Sequence, residues 1–240
     1  MNSLTPAIKK QLEQVSVATL ATALYKRGLR NQMIQDVLPL SAKKERMIGP
    51  AFTLRYMPAR EDLNQLAVFR DRDHPQRKAV EDCPPGAVLV IDSRKDPRAA
   101  SAGGILVSRL MKRGVAGVVT DGGFRDSYEI AEMAIPAYHN RPSSPTNLTL
   151  HQAIDINVPI GCGDAPVFPS DIIFGDQEGV IVIPAHLVEE VAAEAVEMTA
   201  FEDFVMEMVN KEGRSILGLY PATDPKTLDD FAGWKKTNNR

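Results

Sequence analysis

The residues with the clearest chemical potential are Arg125 and Asp126, which stand together just after the glycine pair at 122–123. A guanidinium group is a planar fork that matches a carboxylate, and an aspartate oxygen is a ligand that Mg or Mn prefers. Another glycine pair, at 103–104, begins an apolar stretch with helical spacing. Backbone amides at a helix start bind anions, and glycine leaves them uncovered. The pattern predicts a site for a carboxylate ligand beside a divalent metal.

Spacing alone leaves two simpler interpretations of Arg125 and Asp126 equally open. The two side chains could form a surface ion pair, or Asp126 could begin the helix predicted from Ser127 to about Met133. In the metal-binding interpretation, the cation would polarise the oxo group of a 2-oxo acid and stabilise its enolate.

The elements that would position these residues follow the order strand, helix, strand. A buried-type strand over 87–91 is followed by a helix over 104–113, which ends in two basic residues and a glycine, and then by a strand over 115–120. Such an ending is typical of helix C-termini. If the two strands are parallel, their carboxyl ends meet at the sheet edge where α/β proteins bind ligands. Asp92 and Asp121 stand at these ends, either as ligand residues or as caps of turns.

The whole chain is interpreted as one α/β domain over residues 1–240, with an N-terminal helix and a C-terminal tail from about 212. The other predicted elements are a helix over 5–25, a strand over 47–56, a short helix over 61–69, a solvated loop over 70–74, a strand over 135–138, β-structure over 148–160, a strand over 180–183, a long helix over 185–211 and a short helix ending at Trp234. The long helix has more apolar positions than one face needs, which favours an oligomer.

Composition argues against several classes of function. The 240 residues are 44% hydrophobic and 25% charged with a net charge of −3, which is typical of a globular protein and disfavours a broad nucleic-acid surface. The chain has no signal-peptide core and no apolar run near the roughly 18 residues of a membrane span, so we expect a cytoplasmic protein without a membrane partner. The two cysteines and four histidines lack metal-ligand spacing. Standard nucleotide-binding and hydrolase motifs are missing.

Three stretches carry a resemblance to a known family. GVAGVVTDGGFRD, with GGIL upstream and CGDAPVFPSDIIFGDQEGVIVIP downstream, resembles the regulator of ribonuclease E activity A family. That family includes the divalent-metal aldolases of 4-hydroxy-4-methyl-2-oxoglutarate and 4-carboxy-4-hydroxy-2-oxoadipate. The resemblance covers roughly residues 45–200. It implies a single-domain β/β/α swivelling-type fold, assembled as a homotrimer or homohexamer with sites between neighbouring subunits.

The resemblance also implies roles for particular residues. Asp126 would bind the metal, Mg or Mn, and Arg125 would bind the carboxylate and oxo oxygen of a 2-oxo acid substrate. An acid late in the long helix of the neighbouring subunit would lie near the metal, with Glu197 and Glu202 as candidates. The amides that would hold the substrate carboxylate are those of Gly103, Gly104, Ile105 and Leu106.

The activity implied is that of a metal-dependent lyase that cleaves a 4-hydroxy-2-oxo acid to pyruvate. Such an enzyme would also decarboxylate oxaloacetate through the same enolate. Two alternatives stay open. One is a non-catalytic regulator that binds a ribonuclease, as some relatives do, and the other is a dehydratase or related lyase of a sugar-derived 2-oxo acid.

Two positions depart from the family pattern. Gly104 stands where the family usually has Asp or Glu, and the missing carboxylate should weaken the water-mediated hydrogen bonds around the metal. This loss makes the non-catalytic alternative less remote. Ser170 stands where the family turn has glycine, a change that a turn accepts unless φ is positive there.

Overall fold

The architecture is described here from a computed structural model that covers residues 4–42, 45–238 and 240. The helices are α1 (Pro6–Leu12), α2 (Val17–Lys26), α3 (Pro75–Asp82), α4 (Gly104–Lys112), α5 (Ser127–Glu132), α6 (Val188–Glu212) and α7 (Pro225–Asn238). The strands are β1 (Met33–Ile34), β2 (Leu38–Pro39), β3 (Met47–Pro58), β4 (Val88–Asp92), β5 (Ala100–Ala102), β6 (Gly117–Thr120), β7 (Gly123–Phe124), β8 (Ala137–His139), β9 (Arg141–Pro142), β10 (His151–Ile156), β11 (Ile160–Cys162), β12 (Ala165–Val167), β13 (Ile172–Asp176) and β14 (Gly179–Ile183). Short 3-10 helices occupy Leu66–Arg70, Asn147–Thr149 and Ala185–Leu187.

The main sheet has a parallel centre with antiparallel flanks. Its strands run in the order β1-β14-β13-β3-β4-β6-β8-β2, and β10 also pairs with β3. The neighbours β3 and β4, β4 and β6, and β6 and β8 are parallel. Parallel neighbours need crossover connections, and α3, α4 and α5 supply them in turn. The predicted strand-helix-strand unit is therefore confirmed, with strands at 88–92 and 117–120.

The central strand β4 is covered on both faces, which explains why its sequence is continuously apolar. Leu89 and Ile91 pack with the side chains of α3 and α4 on one face. Val88 and Val90 point to the other face, where the β11–β12 hairpin packs. A separate cluster joins α1, α2 and the first half of α6 to β13 and β14. The α/β class with a long C-terminal helix is confirmed.

The N-terminal region differs from the single helix predicted over 5–25. Thr5 caps α1 as its position indicated, since its side chain accepts a hydrogen bond from the Ile8 amide. The helix then ends, and Ser16 adopts an extended conformation and caps a second helix through the Thr19 amide. Asp176 on β13 also accepts a hydrogen bond from the Val17 amide at 2.8 Å. The hydrophobic spacing predicts one continuous helix, but capping groups, one of them distant in sequence, divide it into α1 and α2.

The prediction for residues 61–74 is wrong in two respects. The helix expected over 61–69 is replaced by a turn and the 3-10 helix at Leu66–Arg70. The loop expected over 70–74 is exposed up to Asp73, but His74 is only 7% exposed and leads directly into α3. Helix α3 was not predicted, although Pro75 at its first position is a common helix start.

The C-terminal tail also forms more structure than expected. Helix α7 continues past Trp234 to Asn238, and its aromatic side chains pack against Phe201 and Phe204 of α6. Strand β13 was not among the elements predicted from the sequence. None of the helices in the described part of the chain is long and apolar enough to cross a membrane.

Candidate functional site

A cleft of about 150 Å³ lies where the start of α4 meets the turn after β7. It is lined by residues of five segments: β5, the start of α4, the turn between β7 and α5, the region from the Leu66–Arg70 helix to α3, and the start of the Asn147–Thr149 helix. The predicted residues that line it are Gly103, Ile105, Leu106, Arg125 and Asp126. The sequence prediction of a site at this place is thus matched by a concave surface.

Pairing of two very short strands brings the cleft residues together. Strand β5 ends just before Gly103, and β7 ends just before Arg125. The two strands are parallel neighbours, and the Arg125 amide donates a hydrogen bond to the Ala102 carbonyl at 3.1 Å. The start of α4 and the Arg125-Asp126 pair therefore lie side by side although they are 22 positions apart.

Gly103 is required by the close approach of these two segments. A Cβ atom at this position would lie 2.7 Å from Arg125 Cγ, closer than such atoms approach, and 3.0 Å from Asp126 Oδ2, which is a tight contact. The φ of Gly103 is −131°, which any residue adopts, so packing rather than backbone conformation demands glycine here.

Asp126 is held so that its carboxylate turns away from its own helix. Its backbone is left-handed, with φ 56° and ψ 32°, and its side chain makes no capping hydrogen bond to α5. Instead, Oδ2 accepts a hydrogen bond from the Gly104 amide at 3.0 Å. The Arg125 Nε atom lies 3.6 Å from the same oxygen, a loose contact between two half-exposed side chains. The helix-cap interpretation is therefore not supported, and the ion pair is weak.

The amides at the start of α4 differ in their availability. The Gly104 amide is used by Asp126, and the Leu106 amide donates to the Gly103 carbonyl at 3.0 Å. Within the described residues, the Ile105 amide donates no hydrogen bond. Binding of a carboxylate by these amides stays a prediction, and it would begin at Ile105.

A buried group of hydrogen-bonded hydroxyls lies at the ends of the strands next to the cleft. Ser101 Oγ lies 2.6 Å from both Ser93 Oγ and Thr120 Oγ1. Thr120 Oγ1 also accepts from the Gly122 amide, and the Tyr56 hydroxyl donates to the Ser101 carbonyl. Buried hydrogen bonds of this kind fix the ends of β4, β5 and β6 relative to one another.

Two polar residues of the cleft, Gln76 and Arg77, were missed by sequence reasoning. Both lie in the first turn of α3 and line the wall that faces α4. The Arg77 guanidinium carbon lies 4.4 Å from the centre of the Phe69 ring, which is also at the cleft. The Pro75 start signal would have located this helix, but its place beside α4 follows only from tertiary contacts.

Asp92 and Asp121 lie outside the cleft lining. Asp121 is buried and accepts hydrogen bonds from the backbone amides of Ser93, Lys95 and Gly163, so it ties together three loops. Burial raises the pKa of Asp121, and it raises the pKa of Asp92 to about 6, with the charge of Asp121 adding to the effect. The turn-capping alternative therefore describes both residues better than the ligand alternative.

The remaining sequence candidates have partners within their own chain. Glu197 pairs with Lys235 at 2.7 Å, and Glu202 accepts a hydrogen bond from Thr19 at 3.2 Å. Neither lines the cleft of this chain, and their contribution to the site of a neighbouring subunit stays a prediction.

Burial lowers the pKa of His139 to about 4, so this ring is neutral at pH 7.

Asp126 is the residue here that fits a divalent cation. Mg prefers one or two carboxylates, substrate oxygens and several retained waters. The Asp126 side chain is 42% exposed at the cleft, and its Oδ1 accepts no hydrogen bond from a described residue. Among the described residues, no three His, Cys, Asp or Glu side chains gather as a metal cage. The donor set therefore fits Mg or Mn held mainly by waters and substrate.

Comparisons with known proteins bear on both the fold and the site. A family model described as Aldolase/RraA matches residues 17–182. A Halalkalibacterium halodurans protein, provisionally named 4-hydroxy-4-methyl-2-oxoglutarate aldolase, is 32% identical over 168 residues, covering 70% of this chain and 73% of its own.

Two solved structures share the architecture. Streptomyces coelicolor RraAS2, described as an unusual member of the RNase ES inhibitor RraA protein family, has a TM-score of 0.73 at 26% identity, covering 84% of this chain and 96% of its own. A Pseudomonas syringae pv. tomato protein has a TM-score of 0.75 at 20% identity over 90% and 98% of the two chains, which shows likeness of fold alone.

Proposed function

Since this chain belongs to the Aldolase/RraA family, we propose that it is a divalent-metal lyase that cleaves a 4-hydroxy-2-oxo acid to pyruvate and a second carbonyl compound. The observation that carries the proposal is the placement of Arg125 and Asp126 against the start of α4 in one cleft. This juxtaposition offers an anion site, a guanidinium fork and a metal-binding oxygen within reach of one small ligand.

Different groups of the chain would bind the carboxylate and the oxo oxygen of the substrate. The start of α4 would bind the substrate carboxylate, because helix amides and the helix dipole favour a negative group. Rotation of the Asp126 carboxylate away from Gly104 would free a second amide for the same group. Arg125 would hold the oxo oxygen and offset the negative charge that develops there.

Mg or Mn bound at Asp126 would supply Lewis-acid polarisation of the 2-oxo group. In the cleavage, the C3–C4 bond breaks, the 4-hydroxyl loses its proton to water, and the electron pair passes to the enolate of pyruvate. Protonation at C3 then gives pyruvate, so no oxidant or reductant is needed. Oxaloacetate would lose carbon dioxide through the same enolate, which makes decarboxylation a second expected activity.

The proposal includes a homotrimer or homohexamer with the cleft near a neighbouring subunit. Ile105 at the cleft is 85% exposed, and Tyr128, two residues beyond Asp126, is 89% exposed. Large apolar side chains that are this exposed beside a site favour coverage by another protein surface. Light scattering at working concentration tests this part, and a monomer would contradict it.

The decisive test is a pyruvate-coupled assay on the purified protein with 4-hydroxy-2-oxo acids and oxaloacetate. We expect turnover that a chelator abolishes and that added Mg or Mn restores. Asp126→Asn should remove this metal response, whereas Glu178→Gln, which changes an exposed acid outside the cleft, should behave as wild type. No turnover with metal present would overturn the lyase, and tight binding to the host ribonuclease in its place would favour the regulator.

A further inference from the structure

Arg77 presents an unused guanidinium group to the cleft. Its carbon lies 4.4 Å from the centre of the Phe69 ring, a cation–π contact that holds the flat face of the group and leaves its N–H edge free. No described residue forms a hydrogen bond or an ion pair with the Arg77 guanidinium. Its planar fork is therefore available to a ligand.

The wall that carries Arg77 has uncompensated positive charge. The charged side chains that line the cleft are Arg77, Arg125 and Asp126, and Asp126 is already in contact with Arg125. Burial, and after it the charge of Arg77, lowers the pKa of His74 in the same segment. A cationic group without a partner in a concave site favours an anionic ligand.

Gln76 adds an unpaired acceptor to the same wall. Its side chain is 3% exposed, and its Nε2 donates to the Tyr56 hydroxyl at 3.0 Å and to the Ser101 carbonyl at 2.8 Å. The contact with the Ser101 carbonyl fixes the orientation of the Gln76 amide, because only the nitrogen of that amide can donate a hydrogen bond. The opposite atom, Oε1, is buried and accepts no hydrogen bond from a described residue. Because Oε1 exposes almost no surface, Gln76 acts on the cleft indirectly: its two hydrogen bonds fix the first turn of α3, and with it Arg77, against β3 and β5.

We propose that Arg77 is the residue that selects the distal half of the substrate, by binding a second carboxylate. This inference rests on the proposed lyase function, in which the first carboxylate lies at the start of α4 beside Arg125. An analogue whose far end is an uncharged alkyl group would leave Arg77 without a partner.

The test compares 4-hydroxy-2-oxoglutarate with 4-hydroxy-2-oxopentanoate, which has a methyl group where the former has its second carboxylate. One charge-assisted bidentate contact corresponds to about 10–100-fold in kcat/KM, so wild type should prefer the dicarboxylate by that factor. Arg77→Gln should lose this preference and leave the monocarboxylate within about twofold. Arg77→Lys, which keeps the charge without the fork, should retain part of the preference.

Arg72→Gln is the matched control, because Arg72 is an exposed arginine on the same segment and outside the cleft lining. It should leave both substrates unchanged. An equal loss on both substrates in the Arg77→Gln variant, with normal folding, would overturn the role in specificity. Equal use of the two substrates by the wild type would overturn it as well.

A binding measurement separates this inference from the lyase proposal. Calorimetry with 2-oxoglutarate and 2-oxopentanoate in the presence of Mg needs no turnover. If the protein cleaves nothing but Arg77→Gln weakens 2-oxoglutarate binding alone, by about 10-fold or more, the role of Arg77 stands and the lyase fails. If Arg77→Gln changes both affinities equally or neither, the role of Arg77 fails whatever the lyase activity is.

Discussion

Restoring an acid at Gly104 tests how the metal site is built. Gly104 is not among the residues with positive φ, so its backbone accepts a side chain without strain. A Cβ here would lie 3.3 Å from Asp126 Cβ and 3.5 Å from Asp126 Oδ2, which asks for a shift of a few tenths of an ångström at most. Gly104→Asp would therefore place a second carboxylate directly beside Asp126.

Without metal, the contributions to stability of this change nearly cancel. Negative charge at a helix start favours folding by about 0.3–1 kcal/mol, and loss of the glycine's backbone freedom adds roughly 0.5–1 kcal/mol. Two carboxylates about 5 Å apart near the surface repel each other by about 1–3 kcal/mol. We therefore expect the melting temperature of the metal-free variant to stay close to that of the wild type.

With metal, the two carboxylates should act together. Repair of the hydrogen bonds around a metal typically raises affinity about 10–100-fold, which is about 1.4–2.7 kcal/mol of added stability at saturating metal. For a chain of this size that corresponds to roughly 3–10 °C in melting temperature. Lyase activity should reach saturation at correspondingly lower Mg.

The assay is thermal melting with and without Mg, together with a Mg titration of turnover. Gly104→Asn is the matched control, since it has the same shape without the charge. Equal metal affinity in the Asp and Asn variants, with both folded, would refute the reasoning. Position 104 would then play no part in metal binding, and Asp126 would serve without a neighbouring acid.

Three further changes probe separate parts of the molecule. Arg125→Lys should lower kcat by about 10–100-fold through loss of the fork, with an unchanged melting temperature because the side chain is 49% exposed; an equally active variant would return Arg125 to a surface role. Ser170→Gly should stabilise the protein by about 0.5–1 kcal/mol in urea unfolding, because φ is +74° there; no gain would mean that this turn is unstrained. Burial raises the pKa of Asp92 to about 6, so the stability of the fold falls as the pH rises from about 4 to about 6 and stays lower above that range. Asp92→Asn should therefore add about 1 kcal/mol at pH 7.5 and nothing below pH 4, and a pH-independent difference would contradict this.

The features that the sequence determined by itself are those with local causes. The strand at 88–92, the helix at 104–112 and the strand at 117–120 follow from apolar runs and a glycine stop, and Gly114 has the φ of +75° that this stop requires. The family was recognisable because GVAGVVTDGGFRD joins a buried strand to a glycine turn and the Arg125-Asp126 pair. Each of these signals lies within about one element of the residues that it describes.

The sequence shows that serine replaces the family's glycine at position 170, but it does not show whether φ is positive there. The residue type raised the question of φ, and the structure answers it with a positive value. Gly104 shows the opposite case, because glycine readily adopts a positive φ and Gly104 does not have one. A residue type allows a conformation, but the surrounding chain selects it.

The features that only tertiary structure decided depend on contacts between distant segments. The break between α1 and α2 is supported by Asp176, 159 residues from the amide it accepts from. The direction of the Asp126 carboxylate depends on the Gly104 amide, which the short β5–β7 pairing brings close. Arg77 reaches the cleft because α3 packs beside α4. The spacing of residues in the sequence indicates hydrophobic periodicity and helix capping. Contacts between distant segments form only when separate elements pack their apolar faces together. The wall of the cleft that α3 forms could therefore not be predicted from the sequence.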